Sequence, residues 1–149
     1  MELAMAYNQS NSRGKQQYHD DENDTTKKYQ PLEEETYVKR AENVIANLGR
    51  NRLTTTQLRN ILSMLNEIYN EVMLTTSDTL SSDVQNRLRY LKIKLIYAAG
   101  RNKDVKSFME ASQIDQHLDY IGNSREKFIL YSHYMEALVA YHRFYGGKD

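Results

Sequence analysis

The segment Ser82–Arg101 constrains the fold most strongly, because its side chains repeat with the period of an α-helix. Apolar residues recur at i, i+4, i+7, i+11 and i+14, which is typical of a helix face that packs into a core. These residues are Val84, Leu88, Leu91, Leu95 and Ala98. Ile93 and Ile96 lie away from this stripe, so the helix is apolar around much of its circumference. This pattern predicts that the helix is central or faces a second protein.

The same segment carries a second stripe, in which cations alternate with tyrosines. It consists of Arg87, Tyr90, Lys94, Tyr97 and Arg101. A basic stripe with interleaved aromatic rings suits a polyanion that also offers groups for stacking or hydrogen bonding. The whole chain is neutral, with 20 basic and 20 acidic residues, yet 12 basic and only 6 acidic residues fall between Lys39 and Lys106. The positive charge is therefore concentrated in the middle of the chain.

Other parts of the sequence also have helical periodicity, and none alternates like a strand over any length. The predicted helices are Glu33–Leu48, Thr54–Met73, Ser82–Arg101, Val105–Ile121 and a last one ending near Tyr145. Capping boxes are predicted at Thr54–Gln57 and Ser82–Gln85, and Asn123 and Glu126 could cap the last helix. The acidic residues that follow Pro31 are expected in the first turn of the first helix. We therefore expect an all-α, compact bundle of about five helices.

The first 32 residues are polar, contain few aliphatic side chains and include Pro31. Such a composition predicts a flexible N-terminal tail, residues 1–32, before a helical domain that spans residues 33–149. No apolar run approaches the roughly 20 residues of a membrane span, and no secretory signal pattern opens the chain. Together with the absence of cysteine, this favours a cytoplasmic protein without a membrane partner.

Catalytic and metal-binding patterns were sought among the histidines, and none emerges. No H-E-x-x-H or E-x-x-H motif occurs, and the chain lacks a P-loop. Arg125 and His133 are the one pair that could suggest a helical ribonuclease, but seven residues intervene and no positioned partner for a base is evident. We expect no catalytic residue, no metal site and no cofactor.

Tyrosine is abundant, with 12 residues against no tryptophan. Most tyrosines flank the predicted core. Tyr69, Tyr131, Tyr134 and Tyr141 are expected to pack their rings and leave their hydroxyls in solvent.

Three short motifs carry a family resemblance: LTTTQLRN (Leu53–Asn60), YLKIKLIYAAGR (Tyr90–Arg101) and ALVAYHRFYGGKD (Ala137–Asp149). Together, and in this order, they resemble the small subunit of the type III-A CRISPR effector, the Csm complex. The resemblance runs from about Tyr37 to the C-terminus. It implies a non-catalytic subunit of five helices that stacks with neighbouring small subunits in a filament. Its implied partners are guide RNA, target RNA and the backbone and large subunits.

The resemblance also implies which side chains meet RNA. The positions that match the family's basic residues are Arg59, Lys92, Lys94 and Arg101, and a looser match adds Arg50 and Arg52. Arg87 joins them from the stripe described above. Binding through phosphates gives affinity without sequence preference, which fits a subunit of an effector whose specificity comes from base pairing with the guide.

Two other functions compete with this interpretation. The apolar excess on the third and fifth predicted helices also fits a helical adaptor that binds only proteins, with the basic stripe facing acidic partners. The Arg125 and His133 pair leaves a helical ribonuclease as a third hypothesis.

Overall fold

The computed structural model describes residues 28–49 and 53–147 of the chain. These residues form six α-helices: α1 (Tyr37–Leu48), α2 (Thr55–Met73), α3 (Ser82–Arg101), α4 (Lys103–Ser112), α5 (Ile114–Ile121) and α6 (Arg125–Phe144). The described part has no β-strand, only an isolated antiparallel bridge between Thr79 and Ser124. The all-α prediction is confirmed. The predicted tail lies outside the described residues except for residues 28–32.

Helix α6 is the centre of the fold. It packs against α1, α2 and α5. Its buried face combines apolar and aromatic side chains, namely Phe128, Tyr131, Tyr134, Met135 and Leu138, all of them at most 1% exposed. A helix that meets neighbours on several sides needs a wide apolar face, and the sequence of α6 provides one.

Helix α3 occupies a more peripheral place, packed against α2, α4 and α5. The predicted core stripe is buried as far as Leu95, and Ala99 rather than Ala98 completes it. Ile93 and Ile96 are 62% and 46% exposed. Of the two predicted alternatives, a central position is not observed, because the second apolar side of α3 has no neighbouring helix in the described part of the chain. The other alternative, that this side faces a second protein, stays a prediction.

The helix caps follow the predicted chemistry with small shifts of register. Thr54 caps α2 in a complete capping box: its hydroxyl accepts from Gln57 N at 3.1 Å, and Gln57 Oε1 accepts from Thr54 N at 2.9 Å. The cap of α3 is Ser81 rather than Ser82, and that of α6 is Ser124 rather than Asn123. In each case the serine hydroxyl accepts from the amide three residues later.

Helix α1 begins later than predicted. Residues 34–36 form a turn, and Thr36 is the N-cap residue. The three glutamates that were expected in the first turn of α1 therefore precede the helix.

The helix predicted over Val105–Ile121 is broken into α4 and α5 at Gln113, whose φ of 58° is left-handed. Two tyrosine hydroxyls of α6 hold this junction: Tyr134 donates to the Ser112 carbonyl at 2.9 Å, and Tyr131 donates to the Ile114 carbonyl at 3.0 Å. The prediction that these two hydroxyls face solvent is wrong. The Tyr134 hydroxyl replaces the helical partner that the Ser112 carbonyl lacks at the end of α4, and the Tyr131 hydroxyl adds a second donor to the carbonyl of the first residue of α5.

A buried histidine fixes the start of α2. His142 Nε2 lies 2.8 Å from the Leu53 carbonyl oxygen, and Nδ1 lies 3.3 Å from the Thr55 hydroxyl. A carbonyl oxygen only accepts, so Nε2 carries a proton; in the neutral ring, Nδ1 then accepts from the Thr55 hydroxyl. Gly147 folds back onto this ring, and its amide donates to the His142 carbonyl at 2.8 Å.

Among the described residues, we find no helix with the length and the apolar composition that a membrane span requires.

Candidate nucleic-acid interface

An open groove of about 340 Å³ lies between α2 and α3 and reaches the start of α4. Its sides are polar or cationic and its floor is apolar. The lining residues are Gln57, Asn60, Ile61, Met64, Lys94, Tyr97, Ala98, Arg101, Asn102 and Val105. None of these side chains is a carboxylate, so the groove suits an anionic ligand.

Two cations of the predicted stripe, Lys94 and Arg101, line this groove. Lys94 Nζ lies 5.1 Å from the centre of the Tyr90 ring, and the Arg101 guanidinium lies 5.6 Å from that of Tyr97. Contacts of this kind hold a cation in place while leaving its charge uncompensated. Neither cation forms an ion pair within residues 28–49 and 53–147. Both are exposed and available to a ligand.

Three helix ends border one end of the groove. Gln57 belongs to the first turn of α2, and Asn102 both follows the last residue of α3 and caps α4. Thr54 and Asn102 already accept from first-turn amides of α2 and α4. The positive ends of the α2 and α4 dipoles are offset by the negative end of the α3 dipole, so the positive charge of the groove comes from Lys94 and Arg101.

The stripe residue Arg87 and the predicted residue Lys92 are placed differently. Arg87 forms an ion pair with Glu71 of α2. Lys92 faces the other side of α3, where its Nζ lies 2.5 Å from Asp119 Oδ2 of α5. It lines a smaller pocket of about 190 Å³, together with Arg89, a base that the sequence analysis did not select. The charges of Arg87 and Lys92 are thus largely compensated within the protein.

Of the remaining predicted positions, only Arg59 lies within the described residues, and it lies apart from the groove. Arg59 is exposed on α2 but is not among the lining residues. Successive helical residues turn by about 100°, so Arg59 points about 160° away from Gln57 around the helix axis. Arg50 and Arg52 lie outside the described residues. The structure thus brings together Lys94 and Arg101 from the predicted set of seven.

Sequence reasoning missed the amide side chains of the groove. Asn60 gave no signal of its own, and Gln57 was assigned only to its capping box. Asn102 caps α4, a helix that the sequence predicted to begin near Val105. Their positions could have indicated them: Gln57 and Asn102 lie within one turn of a predicted helix start, and Asn60 is the last residue of the motif LTTTQLRN.

The pair considered for a ribonuclease does not form a site. His133 is half-buried, with the rings of Tyr37 and Tyr69 at 6.4 and 6.3 Å from its own. Arg125 lies eight residues earlier on α6, about 12 Å along the helix axis, and donates to Met73 Sδ at 3.6 Å. In the described part of the chain, no group of three or more acidic, histidine or cysteine side chains could hold a metal ion.

Comparison with known proteins adds to these observations. A family model described as Csm2 Type III-A matches residues 32–148. The CRISPR system Cms protein Csm2 of Enterococcus italicus is 42% identical over 101 residues, which cover 66% of this chain and 72% of that protein. The protein of the same name from Streptococcus thermophilus is 41% identical over 123 residues, which cover 79% of this chain and 98% of that protein.

A more distant relative agrees with these two. The CRISPR system Cms protein Csm2 of Mycobacterium tuberculosis is 35% identical over 120 residues, which cover 78% of this chain and 96% of that protein. The match of the family model extends over all six described helices, including those that build the groove. The chain therefore belongs to the Csm2 family of type III-A CRISPR systems.

Proposed function

We propose that this small subunit of a type III-A CRISPR complex binds the backbone of guide RNA and target RNA, without sequence preference, in the groove between α2 and α3. The observation that carries the proposal is the pairing of Lys94 and Arg101 in a groove whose lining lacks carboxylates. Each phosphate contact adds a salt-dependent increment of affinity. A single subunit binds weakly, and several subunits on one RNA bind by avidity.

The subunit acts as a non-catalytic element of the complex in the cytoplasm. It stacks with neighbouring small subunits and contacts the backbone and large subunits. The exposed apolar side of α3 supports such protein contacts, because Ile93 and Ile96 lie one helical turn apart and together offer apolar area that a partner protein can bury.

Charge reversal tests the RNA-binding part of the proposal. The double variant Lys94→Glu/Arg101→Glu is expected to weaken retention of guide and target RNA at physiological salt by at least tenfold, because it places two acids in the groove. Arg89→Glu/Lys127→Glu is a matched control with the same change in net charge at two exposed sites outside the groove. Unchanged RNA retention in the groove variant, with the fold intact by circular dichroism, would contradict the proposal.

A helical adaptor that binds only proteins remains the second candidate, and the exposed apolar side of α3 is the observation that favours it. Ultraviolet crosslinking of the complex separates the two functions. RNA adducts on Tyr97 and its neighbours are expected if the groove holds RNA, whereas an adaptor gives only protein crosslinks along α3. Copurification of a guide RNA of uniform length would further support the RNA-binding function.

A further inference from the structure

The groove has an apolar floor, which is not needed to bind a phosphate backbone. Its floor is formed by Ile61 and Val105, which are 5% and 4% exposed, and by the half-buried Met64. Phosphates and riboses are hydrophilic and gain nothing from an apolar floor. A concave site of about 340 Å³ with an apolar floor and a few polar groups has the size and chemistry of a small-molecule pocket.

The polar groups of the groove are suited to the edge of a base. Gln57 Oε1 accepts from Thr54 N, and Asn102 Oδ1 accepts from the amides of Asp104 and Val105 at 2.8 and 3.1 Å. With their oxygens occupied, these two side chains offer their NH₂ groups as donors in the groove. Asn60 is exposed and offers both a donor and an acceptor. Side-chain amides of this kind pair with base edges.

Tyr97 supplies an aromatic surface on which a base can stack. Its ring lines the groove, is 65% exposed, and has the Arg101 guanidinium on one side. Aromatic rings beside cations are the usual platform for an unstacked base, since every base has a face that can stack. Tyr90 has a similar cation contact and is 60% exposed, but it lies outside the groove.

We propose that the groove lodges one unpaired nucleobase of the bound RNA, stacked on Tyr97 with its edge held by Asn60, while Lys94 and Arg101 hold the flanking phosphates. This inference rests on the proposed function and specifies its ligand. Bases within a duplex keep their edges paired and their faces stacked, so the groove should distinguish an unpaired nucleotide from a continuous double helix.

Three RNA probes test the inference with the full chain: a single-stranded 12-mer, its blunt duplex, and the same 12-mer with abasic sites. We expect wild-type protein to bind the abasic strand about 5- to 100-fold more weakly than the intact strand, which is the usual contribution of one stacked base. Tyr97→Ala should produce a similar loss with the intact strand and little change with the abasic strand or the duplex. Tyr120→Ala is the matched control, because Tyr120 is also exposed and has a cation, Lys127, over its ring at 4.2 Å, but lies outside the groove. This variant should bind all three probes normally.

A second pair of variants tests whether Asn60 forms a hydrogen bond with the edge of the base. Asn60→Ala should weaken binding of the intact strand about 3- to 10-fold, the contribution of a hydrogen bond, and leave abasic binding unchanged. Asn66→Ala, at an exposed site on the opposite side of α2, is its control. Equal effects of Tyr97→Ala on intact and abasic strands, or no effect on either, would overturn the inference. RNA binding that survives reversal of Lys94 and Arg101 would instead overturn the proposed function.

Discussion

His142 and Leu53 are joined by a buried hydrogen bond of 2.8 Å across 89 residues of sequence, which ties the end of α6 to the segment before α2. This hydrogen bond also affects the groove, because Thr54 and Gln57 lie within four residues after Leu53. The position of the first turn of α2 therefore depends on a side chain of the last described helix.

We expect His142→Phe to lower the free energy of unfolding by about 1–3 kcal/mol, because it removes the two buried hydrogen bonds of the ring to the Leu53 carbonyl and the Thr55 hydroxyl. Chemical denaturation measures this change. His133→Phe is the matched control: His133 packs against tyrosine rings without a hydrogen bond in the described part of the chain, so its replacement should cost less than about 1 kcal/mol. Equal losses in the two variants would contradict the role assigned to His142.

The hydroxyl of Tyr134 should contribute measurably to stability. Its pKa is raised to about 12, chiefly by burial, and it donates to the carbonyl at the break between α4 and α5. Tyr134→Phe is expected to cost about 1 kcal/mol, because the buried Ser112 carbonyl would lose one of its donors. Tyr141→Phe, at a half-buried ring that stacks on Tyr145, should be close to neutral. A thermal melt that does not separate the two variants would refute this prediction.

His117 makes stability depend on pH. Burial, aided by the positive charge of Arg40, lowers its pKa to about 3. Below about pH 6.5 the unfolded chain binds a proton at this residue and the folded chain does not, so the free energy of unfolding falls as pH falls toward 3. Between pH 7 and pH 5 the loss should be about 1–2 kcal/mol.

The variant His117→Gln isolates this effect, because it removes the titrating group and keeps all others. Its free energy of unfolding should fall less steeply between pH 7 and pH 5 than that of the wild type. Parallel pH profiles for the two proteins would show that His117 does not carry the dependence.

Two glycines should respond to alanine in opposite directions. Gly100 lies within α3, and a methyl group there would meet open space, so Gly100→Ala should stabilise the protein by about 0.5 kcal/mol through helix propensity. Gly122 has a φ of 55°, and Gly122→Ala should cost about 1–2 kcal/mol. Melting temperatures measure both changes. A stabilising Gly122→Ala would argue against the left-handed turn after α5.

The ion pairs of Arg87 and Lys92 predict a shallow salt dependence of RNA binding. Suppose that Lys94 and Arg101 are the main phosphate contacts. A plot of the logarithm of the binding constant against the logarithm of the salt concentration should then have a slope of about −1.4 for single-stranded RNA. A titration giving a slope near −3 would mean that Arg87 and Lys92 leave Glu71 and Asp119 to bind phosphate.

Much of the helical fold could be predicted from local signals. The period of Val84, Leu88 and Leu95 identified the buried face of α3, and the Thr54 capping box marked the start of α2. The break at Gln113 could not be predicted in the same way. A left-handed glutamine carries no sequence signal, and the tyrosines that hold it come from another helix.

The candidate site shows the same division between local and tertiary information. The sequence identified the cations of α3, but Lys94 and Arg101 differ from Arg87 and Lys92 only in what faces them. Glu71 and Asp119 belong to other helices and come close only in the folded chain. The groove roles of Gln57 and Asn102 could not be predicted because both residues also fulfil capping roles, and Asn60 gave no signal of its own.

The central position of α6 has a consequence for biosynthesis. Helices α1 and α2 both pack against α6, yet the ribosome makes α6 after the other five described helices. Until it emerges, the nascent chain exposes the apolar faces that α6 will cover. These six helices should therefore complete their packing only after α6 has emerged from the ribosome, which makes the unfinished chain a natural client for chaperones that hold exposed apolar segments.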